Sequence, residues 1–491
     1  MTAVVTKYET VIGLEVHCQL TTTSKMFCGC SADYSGAEPN THVCPVCLGM
    51  PGVLPVINER AIEYIVMTGL ALNCEIAAFS KFDRKNYPYP DLMKGYQISQ
   101  YDLPVCIGGW LEIEVGGEPK RVGITRVHME EDTARLLHRT DAATGEGYSL
   151  IDVNRSGTPL MEIVSEPDMR SPEEAREYLV RLRQILRYIG VSQANMEEGN
   201  FRCDANVSLR PAGRTALGTK VEVKNMNSFR AVHDALAFEQ KRQAELLDRG
   251  ERIVQETRGW VDERHVTVSQ RSKEEANDYR YFPEPDLPPL RLAGAFVERL
   301  RAQLPELPDR RRERFLALGL TEYEAATLTE ARERADYFEL AMAPLVTELG
   351  RERAAKVAAN WTLGEVARWQ NATGKDLDQL RVSPEGLAEL IALTERGNIT
   401  AAVAKEVFEQ MAESGRTATT IVEEGGLSQI GGSEELTEVV RKVIAGNDRA
   451  VADYRAGKEA ALQALVGQVM KETRGRANPQ VARELLTREL A

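Results

Sequence analysis

No stretch of this chain approaches the run of roughly 18 apolar residues that a membrane-spanning helix requires, so no membrane partner is expected. The segment from Met1 to Glu9 lacks a basic stretch followed by an apolar one. Nothing in it marks the chain for secretion, and a cytoplasmic location is expected. An excess of basic residues is also missing. A net charge of -13 argues against a nonspecific nucleic-acid coat, though not against a local basic patch that binds RNA. There is no Gly-x-x-x-x-Gly-Lys-Ser/Thr loop, so any nucleotide has to be bound without that phosphate cradle.

What is present describes a globular protein: 43% hydrophobic and 27% charged residues over a chain of 491. That length exceeds one compact core and favours two to four domains. Residues 1–291 alternate strand and helix signals. From about 292 the chain becomes helix after helix, rich in Ala, Leu, Glu and Arg. Phe282-Pro283-Glu284-Pro285-Asp286-Leu287-Pro288-Pro289 marks the change, because proline continues neither a helix nor a central strand. The expected division is 1–291, a helical middle at 292–405 and a small helical tail at 406–491.

Three helices are well signalled. Ser171-Pro172-Glu173-Glu174 supplies an N-cap, a first-turn proline and a capping-box glutamate ahead of Tyr178, Leu182, Ile185, Leu186 and Ile189, with Gly190 closing the helix. A second helix is expected over Phe229 to Asp248, stopped by Gly250. A third begins at Thr400 and buries Val403, Val407, Phe408 and Met411; Gly415, Gly425-Gly426 and Gly431-Gly432 then make a loose region.

The residues with chemistry sit first on strands. In Thr10 to Leu20, period-two alternation puts Leu14, Val16, Cys18 and Leu20 on one face and Glu15, His17 and Gln19 on the other. Arg202, Asp204, Asn206 and Ser208 repeat the design, as do Lys220, Glu222 and Lys224, and Glu162 stands among apolar residues. In Thr125 to Asp132 alternation leaves open whether Glu130 or Glu131 faces the others. Clustered carboxylates repel unless a cation lies between them, so such a face points to a divalent metal, most naturally Mg²⁺ with waters. Interleaved Lys and Arg point to phosphate beside it. A solvated sheet face with ion pairs is the competing reading.

Cys28-Gly29-Cys30 and Cys44-Pro45-Val46-Cys47 offer four thiolates in two close pairs, the pattern of a structural zinc site; His42 is surplus and expected at the surface. Lys81-Phe82-Asp83-Arg84-Lys85-Asn86-Tyr87-Pro88-Tyr89-Pro90-Asp91, continuing to Tyr96-Gln97-Ile98-Ser99-Gln100, interleaves basic and aromatic residues suited to a nucleotide or an RNA end, with a solvated loop as the competing reading. Residues 441–491 hold ten basic and six acidic residues, a local net charge of +4. There Arg455, Lys458, Lys471, Arg474 and Arg476 gather near turns, which favours contact with a phosphate backbone.

Val11 to His17, Lys81 to Tyr87, Arg126 to Asp132, Gly157 to Pro167 and Asp278 to Asp286 together resemble the B subunit of the bacterial aspartyl/glutamyl-tRNA amidotransferases, and the likeness spans the whole chain. The resemblance implies an α+β architecture: an N-terminal cradle with a mainly antiparallel sheet related to glutamine synthetase, then the helical middle and tail. It implies a ligase that phosphorylates the side-chain carboxylate of Glu-tRNA(Gln) and/or Asp-tRNA(Asn) with Mg²⁺ and ATP. Ammonia from the glutamine-hydrolysing amidase subunit then displaces phosphate. A small third subunit completes a heterotrimer, and the misacylating synthetase is a further candidate partner. No cysteine-nucleophile signature and no Ser-Ser-Lys amidase motif occurs here, so glutamine hydrolysis falls to the partner.

By resemblance the Mg²⁺ and phosphoryl-transfer positions fall on Glu15, His17, Glu131, Glu162 and Asp204, the first four as metal ligands. Lys81, Arg84, Lys85, Lys220, Glu222, Lys224 and Arg280 are expected at the nucleotide, Cys28, Cys30, Cys44 and Cys47 on structural Zn²⁺, and the tail on the tRNA. The rival readings are a tRNA-binding scaffold without catalysis and a zinc-containing RNA-binding protein.

Overall fold

The alternation of Thr10 to Leu20 is realised in strand β1 (Tyr8–Gln19), where Leu14, Val16 and Cys18 are fully buried while Glu15 and His17 face away, half-buried. The computed structural model describes residues 7–272, 279–430 and 433–490. Met1 to Thr6, Asp278 of the fifth motif and the expected loose Gly431-Gly432 lie outside the described residues.

Around β1 run β2 (Glu118–Glu131), β3 (Pro159–Ser165), β4 (Phe201–Pro211), β5 (Val221–Lys224), β6 (Glu256–Val261) and β7 (Val266–Ser272). They pair in the order β7-β6-β5-β4-β1-β3-β2, and the short strands Cys106–Ile107 and Glu75–Ile76 extend the sheet beyond β2. The β5–β6 ladder is parallel and the others are antiparallel. The sheet is therefore mixed and mainly antiparallel.

One face is apolar and shares a single core with helices α1 (Glu59–Ala71), α2 (Pro172–Tyr188) and α3 (Phe229–Asp248), through Ile65, Leu182 and Leu236 among others. Each such side chain stabilises the layer by about 1.5–3 kcal/mol. Antiparallel sheets can leave their second face to solvent, and here that face is free for the polar residues. Helix α2 starts as its sequence directs: Ser171 Oγ accepts the Glu174 N–H at 3.2 Å. The reciprocal half of the expected capping box is displaced, because Glu174 takes the Arg170 N–H at 2.7 Å and Lys120 at 2.6 Å.

The chain divides into two compact units between Leu307 and Pro308. The proline-rich segment expected as the boundary stays with the first unit, because Leu287 and Leu292 are in its core. Helix α4 (Gly294–Gln303) follows it there, with Leu300 fully buried and Arg299 3.0 Å from Glu63 on α1. Among the described residues the second unit is entirely helical. Its helix Ala401–Ser414 is capped by Thr400 and buries Val403, Val407, Phe408 and Met411. That face joins one apolar cluster running from Tyr337 to Val422, which crosses position 405; a separate cluster holds Ile430 to Leu490. Apolar continuity thus breaks near 427–430 instead of at 405.

Candidate active site

Cross-strand partners share a face of a sheet, so the register assembles the polar rows. His17 lies opposite Glu162 on β3 and Arg202 on β4, and Glu162 lies opposite His128 on β2. In the next row Glu15 is opposite Asp204. Asn206 is opposite Glu222, which is opposite Thr257. Parity along β2 adds Glu130 and Arg126 to the side of His128.

These side chains converge. Glu162 Oε2 is 3.4 Å from His17 Nε2 and 3.2 Å from His128 Nε2, which lies 3.6 Å from Glu130 Oε1. His17, Glu130 and Glu162 each place a ligand atom within 4.8 Å of the other two. Ser99 Oγ and Gln97 Nε2 donate to the Glu130 carboxylate at 2.7 and 3.1 Å, and Lys85 Nζ is 3.7 Å from it. On the other flank Lys224 Nζ is 2.6 Å from Asp204 Oδ2 and 3.2 Å from Glu222 Oε1, while Asn206 donates to Glu15 at 3.0 Å.

The electrostatics follow from this crowding. Burial raises the pKa of Glu15, and the carboxylates of Glu162, Asp204 and Glu222 raise it further against Lys224. Burial would lower His128, but Glu162 and Glu130 outweigh it and hold the ring up at about 9. For Glu130 burial pushes upward, yet the Lys85 ammonium and His128 bring it down to about 2. Three acidic and imidazole donors crowded together with borrowed positive charge around them fit a divalent cation. The cavity above them measures about 650 Å³, the size of a small-molecule site, and is also lined by Arg126, Arg202 and the rings of Tyr87, Tyr279 and Tyr281.

Of the expected residues, Glu15, His17, Glu162, Asp204, Lys85, Glu222 and Lys224 line this cavity. Glu131 does not. It points through the opposite face of β2, ion-paired with Lys94 and accepting the Ile98 N–H at 2.9 Å. Glu130 takes its place. Lys81 pairs with Asp83 and Asp102 outside the lining. Arg84 turns away from Lys85 by strand alternation and grips Glu284 through two hydrogen bonds of 2.7 and 2.8 Å. Lys220 precedes β5 and is exposed. Arg280 is exposed between the two cavity tyrosines, its carbonyl accepting from Asn86 Nδ2 at 3.0 Å. Sequence reasoning missed Arg126, His128, Thr257, Tyr279 and Tyr281 as lining residues, whereas Tyr87 and Gln97 lie in the stretch expected at a nucleotide or RNA end. The Arg126-x-His128-x-Glu130 alternation was the available signal.

Cys28, Cys30, Cys44 and Cys47 bring their sulfurs within 4.8 Å of one another, and none is in a disulfide. The Cys28 thiol holds the Cys47 pKa down at about 4 against burial, helped by the Cys44 backbone and Lys25. Four converging sulfurs suit a closed tetrahedral metal site. His42 is half-buried instead of at the surface, since its N–H bonds Asn154 Oδ1 at 2.8 Å and its carbonyl accepts from the buried Lys25 at 2.8 Å. In the tail Arg455, Lys458, Lys471 and Arg474 are exposed. Arg476 is half-buried and donates to the Gly426 carbonyl at 3.1 Å.

A large mixed sheet with a carboxylate- and cation-lined cavity on its open face, joined to a helical unit, defines an enzyme with a separate all-helical appendage. Residues 10–298 match the GatB/GatE catalytic domain and residues 345–490 the GatB domain. The B subunit of the aspartyl/glutamyl-tRNA(Asn/Gln) amidotransferase of Dehalococcoides mccartyi is 59% identical over 99% of both chains. Those of Thermomicrobium roseum and Carboxydothermus hydrogenoformans are 57% and 55% identical, again over 99% of both. The chain belongs to the family of aspartyl/glutamyl-tRNA(Asn/Gln) amidotransferase B subunits. Among the described residues no helix is long and apolar enough to cross a membrane.

Proposed function

We propose that this chain is the tRNA-binding kinase and transamidase component of a cytoplasmic amidotransferase. It takes Glu-tRNA(Gln) and/or Asp-tRNA(Asn), in a heterotrimer with the glutamine-hydrolysing amidase subunit and the small third subunit. The convergence of His17, Glu130 and Glu162 on one cation-sized space, flanked by Lys85 and Lys224, carries this reading. A mainly antiparallel sheet with an acid-lined open face supports kinship with glutamine synthetase.

The chemistry follows from leaving groups. A carboxylate resists attack by ammonia because oxide would have to leave. Attack of the carboxylate oxygen on the γ-phosphorus of ATP breaks the bond to ADP and makes an acyl phosphate. Ammonia then adds at the acyl carbon, the carbon–oxygen bond breaks and phosphate leaves with its electron pair. The nitrogen gives up one proton, which the departing phosphate can take, to leave the neutral amide. His17, Glu130 and Glu162 would hold Mg²⁺, with Glu15 and Asp204 beside it. When bound, that ion neutralises charge on the transferring phosphoryl group. Lys85, Lys224 and Arg126 present positive charge to phosphate oxygens, and Tyr87, Tyr279 and Tyr281 offer ring faces to the substrate. The four cysteines would hold structural Zn²⁺.

ATP turnover by the assembled complex tests the reading. Turnover is expected to require Glu-tRNA(Gln), to be absent with uncharged tRNA, and to disappear in Glu15→Ala while that tRNA still binds. Turnover that survives the substitution moves the chemistry off β1 and favours the scaffold reading. Ending the chain after Gly426 removes the last apolar cluster and the four exposed basic residues. The tRNA affinity is then expected to fall, with a salt slope smaller by roughly three, at about 0.7–0.9 for each phosphate no longer neutralised. An unchanged slope refutes the tail assignment.

A further inference from the structure

Glu131 is 5% exposed and sits where the end of β2 meets the cysteine knuckle. Its carboxylate is ion-paired with Lys94, whose ammonium lies over the rings of Tyr96 at 5.4 Å and Phe27 at 5.9 Å. Phe27 precedes the first metal-site cysteine. A small enclosed space here is lined by Glu131 and Lys94 together with Cys28, Val46, Cys47 and Gly157. Gly157 takes φ +82°, the left-handed region that favours glycine, and it lies within ordinary contact of the knuckle: a Cβ there would sit 3.6 Å from Lys25 Cδ and 3.9 Å from Cys47 Cβ. The Met26 N–H bonds the Gly157 carbonyl at 2.7 Å, and the Gly157 N–H bonds the Asp132 carbonyl at 2.9 Å, one residue beyond Glu131.

The short strand Tyr96–Ser99 grips both neighbouring glutamates. The Ile98 N–H holds Glu131 at 2.9 Å and Ser99 Oγ holds Glu130 at 2.7 Å. Gln97 Nε2 bonds the Glu130 carboxylate at 3.1 Å and the Glu131 carbonyl at 2.8 Å. Adjacent residues on a strand face opposite sides, so any rotation of the strand at Glu131 swings Glu130 in the cavity.

We propose that Glu131 is a positioning residue: clamped by Lys94 and the Ile98 amide against the knuckle, it sets the Glu130 carboxylate. The metal at the four cysteines and the cation at His17, Glu130 and Glu162 therefore bind cooperatively. This rests on the two metal assignments made above. Partners that orient a ligand from behind are typically worth 10–100-fold in metal affinity, and the coupling is reciprocal.

Mn²⁺ is the probe, its binding to the full chain read by electron paramagnetic resonance and the zinc content by atomic absorption. Glu131→Gln is expected to retain zinc and to bind Mn²⁺ about tenfold more weakly. Lys94→Met, which removes the clamp from the other side, shifts affinity in the same direction. Glu63→Gln, a loss of another buried ion-paired carboxylate on α1, leaves it unchanged. Stripping zinc from the wild type and removing the chelator weakens Mn²⁺ by a similar factor. The same treatment of Glu131→Gln adds little, because the link is already cut. Wild-type Mn²⁺ affinity in Glu131→Gln and Lys94→Met, or after zinc removal, overturns this inference alone. A wild type that binds no Mn²⁺ overturns the cation site and this inference together.

Discussion

Replacing Glu130 by Gln is expected to lower ATP-dependent amide formation roughly a thousandfold, equivalent to about 4 kcal/mol of transition-state stabilisation. The substitution preserves shape and leaves an acceptor for Ser99, which donates at 2.7 Å. What it removes is charge. Glu130 is 2% exposed, and its carboxylate faces Lys85 and His128. With that charge gone, the Lys85 ammonium loses the carboxylate 3.7 Å away and His128 keeps only Glu162, at 3.2 Å. Burial opposes charge on His128, so its imidazolium state depends on the carboxylates of Glu162 and Glu130. The measurement is kcat of the assembled complex with Glu-tRNA(Gln) across a magnesium titration. Partial recovery at high magnesium locates the defect in cation affinity. A wild-type rate removes the cavity from the chemistry.

Cys44→Ser should release zinc and lower the melting temperature by about 4–8 °C, taking ~2 kcal/mol of lost stability and ~2–4 °C per kcal/mol for a unit of this size. The knuckle has little apolar core of its own. Of the four cysteines only Cys47 is buried, and Met50, Leu54 and Val56 after it are exposed. Its order therefore depends on the sulfurs and on the Lys25 ammonium reaching the His42 carbonyl at 2.8 Å. Zinc analysis with a thermal melt checks both parts. Wild-type protein free of zinc after expression in zinc-replete medium rules the site out.

The helices were legible because their signals are local. Ser171, Pro172 and Gly190 bracket one, and Thr400 with Val403, Val407, Phe408 and Met411 defines another, all within a single stretch of chain. The polar-faced strands were legible for the same reason, since period-two alternation needs only its own residues. The boundary after 291 was not. A proline stops a helix, but only packing shows that Leu292 and Leu300 return to the first core.

The sequence alone specified which side chains share a strand face, the cysteine quartet and the family to which the chain belongs. Which of two adjacent glutamates reaches the cavity was decided by tertiary structure. Alternation sets Glu130 against Glu131 but says nothing of which face is open. That was settled by the pairing of Glu162 with His128 and of His17 with Glu162, which joins strands far apart in the chain. The same distinction sent Lys85 inward and Arg84 to Glu284. Charge neutralisation acts through space, so a carboxylate's role follows from the neighbours that the fold brings to it.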